Sequence, residues 1–277
     1  VIGTNTIYQD TAGTTNATAG STLNATYVRG TNLNIAAGAV VQIQANPTWG
    51  NGTSKISSLS IAGSAGAWTG KLDLANNPIV IESTRANAAA DYARIASMIQ
   101  QGYDGGKWDG EGITSSTAAA DTSHLTALGV MLNKNVYGNP IYYTFGGQSA
   151  DASAILVRYT YYGDANLSGA VDSADYASID NGFLQNLTGW SNGDFNYDGV
   201  VNGSDYTLID NAFNQQGSAF PSPSVELTSA VAVPTAQIAG NASVPEPSSL
   251  VLLVAPALAL LKRRKVGSSA SFSKVNS

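Results

Sequence analysis

The strongest constraint on what this chain can fold into is a segment written twice. Residues 163–185 and 193–215 align without gaps at a spacing of 30 residues. They share Gly163/Gly193, Asp164/Asp194, Asn166/Asn196, Gly169/Gly199, Val171/Val201, Asp175/Asp205, Tyr176/Tyr206, Ile179/Ile209, Asp180/Asp210, Asn181/Asn211, Phe183/Phe213 and Gln185/Gln215. Residues 163–217 hold eight Asp and no Lys or Arg. A fold that gathers these carboxylates repels itself unless something positive resides among them.

The rest of the composition narrows the chemistry. Only 12% of the residues are charged and the net charge is -6, which argues against a nucleic-acid binder. There is no Cys, so thiol chemistry, disulfides and Cys-based zinc sites are excluded, and a single His, His124, excludes a multi-His metal site.

The spacing inside each repeat is that of a calcium loop, in which alternate positions present oxygens and the next helix adds a carboxylate from its first turn. In loop one the donors are Asp164, Asn166, Ser168, the Ala170 carbonyl, Asp172 and Asp175. In loop two they are Asp194, Asn196, Asp198, the Val200 carbonyl, Asn202 and Asp205. Each loop supplies three carboxylates, so two Ca²⁺ ions are expected and each leaves a charge of about -1. Gly169 and Gly199 sit where the turn needs positive φ. Val171 and Val201 follow the carbonyl donor, where paired loops often form a short β-bridge. Helices are expected over 173–185 and 203–215, with Tyr176, Ile179 and Phe183 on one face and Tyr206, Ile209 and Phe213 mirroring them. A strand precedes loop one and a turn precedes loop two. A unit this small leans on its metal for stability.

Two such loop–helix units without preceding helices resemble the type I dockerin module, over residues 163–217. The resemblance implies calcium-dependent folding and docking onto a cohesin domain. The positions it assigns to partner contact are Ser173 and Ala174 in one repeat and Gly203 and Ser204 in the other. The sequence departs from the family one turn further on: Asp180-Asn181 and Asp210-Asn211 stand where many dockerins carry basic residues. A calcium-stiffened spacer or an intramolecular clamp therefore stands beside a cohesin-like partner.

Upstream, residues 1–85 read as short strands separated by Gly and Asn, with apolar clusters such as Leu33/Ile35, Val40-Val41/Ile43, Leu72/Leu74 and Ile79-Val80-Ile81. A parallel β-solenoid fits the spacing, with a β-sandwich as the alternative. Residues 86–101 read as one amphipathic helix closed by Gly102. A Gly-rich loop and strands over 141–145 and 154–162 follow. The stretch from about Leu72 to Tyr162 resembles a module preceding dockerin-like segments in planctomycete-type bacterial surface proteins, which implies extracellular architecture rather than a reaction. The opening residues Val1-Ile2-Gly3-Thr4, with no Met and no signal peptide, suit a mature form or a C-terminal piece.

Downstream, 218–247 reads as a Pro/Ser/Ala linker. Pro245-Glu246-Pro247 within it, the apolar run 250–261 and the basic cluster Lys262-Arg263-Arg264-Lys265 together resemble the PEP-CTERM sorting signal. That implies export, recognition by an exosortase, transient membrane contact through 250–261, and placement at the cell envelope or extracellular surface of a Gram-negative-type bacterium. The apolar run is short for a span: as a helix it covers roughly 18 Å against a core of ~30 Å. A buried helix or an interfacial anchor is the plainer reading.

The expected fold class is mixed and multi-domain. A mostly β body over 1–162, parallel β-solenoid or β-sandwich with one helix, precedes a small all-α two-calcium module over 163–217, the linker 218–247, and a C-terminal hydrophobic helix within 248–277. Catalytic candidates are thin. Asp104, Asp109 and Glu111 have the residue types for glycoside cleavage, but the spacing suits a tight turn pinned by Trp108. His124 beside Ser123 and Asp121 does not make a triad by adjacency. Trp49, Trp68, Tyr142 and Tyr143 suit sugar stacking or core packing. The reading is of a non-catalytic, exported surface protein with a docking or stiffening module. The alternatives are the C-terminal part of a polysaccharide-active hydrolase or lyase, and an adhesin or filament subunit.

Overall fold

A computed structural model of the chain describes residues 13–48 and 50–223. From β1 (Thr14–Ala17) the chain passes back and forth between two parallel sheets. One receives β1, β3 (Arg29–Ile35), β5 (Ser54–Ile61) and β7 (Ile79–Ile81); the other receives β2 (Thr22–Ala25), β4 (Val40–Ile43), β6 (Lys71–Asp73) and β8 (Gly112–Thr114). Register stacks like on like. Leu33 faces Leu59 and Ile35 faces Ile61 in the first sheet; Leu23, Val41, Leu72 and Ile113 form one ladder in the second. Alternate side chains point inward and bury these ladders between the sheets. The outer face carries an amide–hydroxyl ladder, with Asn34 Nδ2 donating to Asn16 Oδ1 at 2.9 Å and Asn32 Nδ2 to Thr14 Oγ1 at 3.1 Å.

Helix α1 (Ala88–Tyr103) interrupts this alternation between β7 and β8. Ile95, Met98, Ile99 and Gly102 form its buried face. It ends at Asp104 in the left-handed region, followed by Gly105. A short helix α2 (Ser116–Ala119) follows β8, capped by the Ser115 hydroxyl. The first sheet is then completed by β12 (Ile155–Tyr161), antiparallel to both β7 and β9 (Thr126–Leu132), giving the order β1-β3-β5-β7-β12-β9. A two-stranded hairpin, β10 (Thr144–Phe145) and β11 (Gln148–Ser149), lies in the β9–β12 connection. Helices α3 (Ser173–Gln185) and α4 (Gly203–Gln215) close the described chain.

The expected fold class is corrected by this arrangement. The chain is mixed α/β, with three sheets and four α-helices among the described residues. The largest sheet combines four strands in parallel pairing with two antiparallel ones, so the body is neither a wholly parallel solenoid nor a sandwich of antiparallel sheets, and it carries two helices rather than one. The physical reason lies in β9 and β12. Both are buried almost throughout, so neither shows the alternation that separates a half-exposed strand from a core segment. The loop–helix segment is not a separate all-α layer either: Trp190, Phe195 and Tyr197 belong to the same buried core as Leu128 and Tyr162. The expected C-terminal apolar helix falls within 248–277, and these residues, with Pro245, Glu246 and Pro247, lie outside the described residues. No described helix is long and apolar enough to cross a membrane.

Candidate metal centre

Strand β12 delivers the chain to loop one, which opens at Gly163 with φ +94°. A Cβ on Gly163 would lie 2.5 Å from Ile209 Cγ1, and one on Gly193 (φ +103°) would lie 2.6 Å from Ile179 Cγ1. Each loop therefore opens against the central isoleucine of the other loop's helix, an approach with positive φ that glycine alone meets without strain. The expected helices 173–185 and 203–215 stand at those positions. Each begins with a reciprocal cap. Asp172 Oδ1 accepts the Ala174 N–H at 2.7 Å while Asp175 Oδ2 accepts the Asp172 N–H at 2.9 Å. Asn202 Oδ1 accepts the Ser204 N–H at 2.8 Å while Asp205 Oδ2 accepts the Asn202 N–H at 3.0 Å. The last expected donor of each loop, Asp175 or Asp205, is thus the N3 residue of a capping box.

Within loop one, Asp164 Oδ1 accepts the Ser168 N–H at 2.8 Å, and Oδ2 accepts the Gly169 N–H at 2.9 Å and the Thr160 hydroxyl. Asn166 Oδ1 also accepts the Ser168 N–H, and Asp175 Oδ1 reaches back to the Asn166 N–H at 3.2 Å. The Ser168 hydroxyl donates to the Ala170 carbonyl at 3.2 Å. Within loop two, Asp194 Oδ2 accepts the Gly199 N–H at 3.2 Å and the Gly189 N–H at 3.3 Å. Asn196 joins Asp198 through its amide at 2.9 Å, and Asp205 Oδ1 accepts the Phe195 N–H at 2.8 Å. Val200 is exposed, and its carbonyl accepts the Asn202 amide at 3.5 Å.

Asp164, Asp175, Asp194 and Asp205 are buried, a costly state for ionised carboxylates. Burial pushes all four up from the ordinary carboxylate range. Asp175 reaches about 7, from desolvation first and the charge of Asp164 besides. Asp194 Oδ1 is buried with no hydrogen-bond partner at all. Among the described residues no group of three or more His, Asp or Glu side chains is placed to hold a metal ion by itself. The carboxylates alone do not make a cage; loop one mixes carboxylate, amide, hydroxyl and backbone-carbonyl oxygens, and loop two carboxylate, amide and backbone-carbonyl oxygens. That hard, all-oxygen donor set suits Ca²⁺ and not zinc or a softer metal. The buried, unpartnered Asp194 oxygen is the observation that fits a cation, because it otherwise remains desolvated for nothing.

Several residues that sequence reasoning left aside position these loops. Trp190 is fully buried, donates Nε1 to the Asp164 carbonyl at 2.7 Å and stacks on Tyr197 at 5.6 Å. The Tyr197 hydroxyl donates to the Leu128 carbonyl on β9, and Gln100 of α1 donates to the Tyr197 carbonyl at 2.6 Å. Gln216 takes both backbone groups of Val171, at 2.8 Å each, so the bridge expected between Val171 and Val201 gives way to a side-chain clasp. Arg158, fully buried in β12, donates to the Leu167 carbonyl at 2.9 Å. An Arg inside an apolar strand just ahead of an all-acidic segment was the readable signal for it.

The other expected positions fall into plain roles. Ser173, Ala174, Gly203 and Ser204 are exposed in the first turns of α3 and α4. Phe183 and Phe213 are 52% and 47% exposed, so only Ile179 and Ile209 of the predicted faces are buried. Asp104 pairs with Lys107 at 3.0 Å in an exposed turn, and Asp109 and Glu111 are exposed beside buried Trp108. Asp121 spends its oxygens on Ser123, Leu125 and Thr126, and His124 is an exposed turn residue with φ +53°. Trp68 and Tyr142 are buried, Tyr143 is exposed, and Trp49 lies outside the described residues.

Residues 162–214 match the family model of the dockerin type I domain. Neither a curated protein nor a solved structure matches the chain.

Proposed function

We propose that residues 163–217 form a calcium-binding docking module of dockerin type, carried by a non-catalytic cell-surface protein. Two Ca²⁺ ions are assigned, one to Asp164, Asn166, Ser168, Ala170, Asp172 and Asp175, and one to Asp194, Asn196, Asp198, Val200, Asn202 and Asp205. The observation that carries this reading is the set of four buried aspartates in the dockerin-matched segment, one with an unpartnered oxygen. The partner is a cohesin-like domain, met by the exposed first turns at Ser173-Ala174 and Gly203-Ser204. The test is binding of the full chain to immobilised type I cohesin domains with calcium and with chelator. Calcium-dependent capture is expected. Calcium uptake without binding to any cohesin would overturn docking and leave the stiffening role.

That second role, an intramolecular clamp, is favoured by the bonds joining loop two to α1 and β9 through Gln100, Tyr197 and Leu128. The proposed division keeps 1–162 as the body, 163–217 as the module, 218–247 as a linker and 248–277 as a sorting segment. On this reading Pro245-Glu246-Pro247 is the exosortase motif, 250–261 enters the membrane transiently, and the chain is exported to the envelope. Mass spectrometry of the envelope form should find the chain truncated behind Pro247; an intact C-terminus at Ser277 would count against processing.

A further inference from the structure

We infer that the two loops are unequal: loop two requires the cation for its order, whereas loop one is held in shape by Arg158 and by residues 216–222, with or without an ion. This rests on the calcium reading above and deepens it.

The asymmetry begins where the repeat ends. Counting back from Gly163 and Gly193, Arg158 corresponds to Thr188 and Thr160 to Trp190. Thr160 supplies a hydroxyl to Asp164; Trp190 supplies none to Asp194, whose Oδ1 is left without a partner although Asp194 is only 4% exposed. Arg158 places a guanidinium under loop one, attracted to Asp164, with Nη1 on the Leu167 carbonyl at 2.9 Å. Its Nη2 lies 3.2 Å from where a Cβ on Gly169 would stand. Loop two has no cation of its own, because residues 163–217 contain none and the matching position is Thr188. The sequence of loop one therefore carries three carboxylates beside one fixed positive charge, that of loop two three beside none.

The chain after α4 adds a second difference. Gln216 clasps Val171, the Phe220 N–H donates to the Gly169 carbonyl at 2.8 Å, and the Ser222 hydroxyl donates to the Ser168 carbonyl at 3.0 Å. Phe220 packs on Tyr159 and Tyr161. Asn186, which corresponds to Gln216, instead ends α3 in the left-handed conformation. Accordingly Gly169 is buried and Ser168 and Ala170 are half-buried, while Asp198, Gly199 and Val200 are exposed. A cavity of about 270 Å³ borders loop two, lined by Tyr92, Gln100, Gly189, Asp194, Tyr197 and Gly199. Loop two thus combines the larger uncompensated charge, the unpartnered buried oxygen and open access.

A fixed unit charge beside a divalent ion opposes its binding strongly at protein-like dielectric, so loop two should bind calcium about tenfold or more tightly than loop one. The experiment is a calorimetric calcium titration of the full chain and of two variants at exposed donors, Asp172→Asn in loop one and Asp198→Asn in loop two. Both keep an oxygen for the local turn, so both are expected to fold. The wild type should show two separated steps, with Asp198→Asn weakening the tighter and Asp172→Asn the weaker. Hydrogen exchange in chelator gives the structural readout: the Ser168 and Gly169 amides should stay protected while those of Gly199 and Asn202 open. Coincident steps, a tighter step weakened by Asp172→Asn, or equal exchange in both loops would overturn the inequality and leave calcium binding intact. No calcium heat in any variant would overturn the calcium reading itself and this inference with it.

Discussion

Tyr176 on α3 donates its hydroxyl to Asp210 on α4 at 2.6 Å. Tyr206 returns the bond to Asp180 at 2.6 Å, and the exposed phenylalanines follow the same symmetry, Phe213 edge-on to Tyr176 and Phe183 edge-on to Tyr206. These two aspartates occupy the positions where the dockerin resemblance leads one to expect basic side chains. Here they brace one helix against the other, and the helix surface facing solvent is acidic and aromatic. Partner recognition at that surface, where it occurs, has to be met by complementary basic and apolar groups.

The brace predicts a modest, symmetric stability effect. Tyr176→Phe and Tyr206→Phe each remove a hydrogen bond to a carboxylate at a partly solvated site, worth about 1 kcal/mol. For a chain of this size that lowers Tm by about 2–4 °C. The same carboxylates add to burial in pushing both phenols up to about 12, so ultraviolet titration of Asp210→Asn should show one tyrosine ionising at lower pH than in the wild type. An unchanged titration curve would mean that the Tyr176–Asp210 bond is absent in solution.

Gly129 on β9 predicts a sharper effect. A Cβ there would lie 2.6 Å from both Leu167 Cδ2 of loop one and Trp190 Nε1. Gly129→Ala forces either loop one or the indole outward, at an overpacking cost of about 1–3 kcal/mol. The Trp190 bond to the Asp164 carbonyl should lengthen with it, so tryptophan emission should shift to the red along with the lower Tm. A variant with wild-type emission and stability would show that β9 does not seat the loops.

How much of this was legible beforehand divides along local and non-local lines. The helices after the loops were readable because every cue lies within a dozen residues: the alternating oxygens, the Gly at positive φ, the carboxylate in the first turn and the spacing of Tyr, Ile and Phe behind it. Strand β12 was readable from its run of apolar and aromatic residues. β9 was missed although Thr126–Leu132 is nearly continuous apolar sequence, because a run buried on both faces has no period to read and this one, with Gly129 at its centre, carries fewer of the β-branched and aromatic residues that mark β12. Nothing local tells that β12 turns back antiparallel to β7, or that Gln216 would reach 45 residues back to Val171. Those pairings join residues 45 or more positions apart, a tertiary fact.

Gln216 supplies the third prediction. Its amide satisfies the N–H and C=O of Val171, a residue 2% exposed, so Gln216→Ala leaves buried backbone groups unpaired at about 1–3 kcal/mol. The loss should be local, with 216–222 becoming sensitive to limited proteolysis before the body does. Gln216→Glu, which keeps an acceptor but loses the donor to the Val171 carbonyl, should fall between. Equal protease resistance in all three proteins would mean that the clasp does not hold residues 216–222.

The buried carboxylates give the last prediction its sign. Asp175 has its folded-state pKa raised to about 7 by burial and by Asp164, against 3.8 as its reference value. Between those two values the folded chain holds a proton that the unfolded chain has lost, so without calcium stability rises as pH falls from about 7 toward 4. Asp164, Asp194 and Asp205 are shifted the same way and act in the same direction. Bound calcium reverses the order: the ion favours the ionised carboxylates, protons compete with it, and acidification then removes stability. Tm measured from pH 8 to pH 5 should therefore climb in chelator and decline in millimolar calcium, the two curves converging at the acid end. Parallel curves would mean that neither Asp164 and Asp175 in loop one nor Asp194 and Asp205 in loop two face a cation, and a climb in both would mean that protons alone settle their charge.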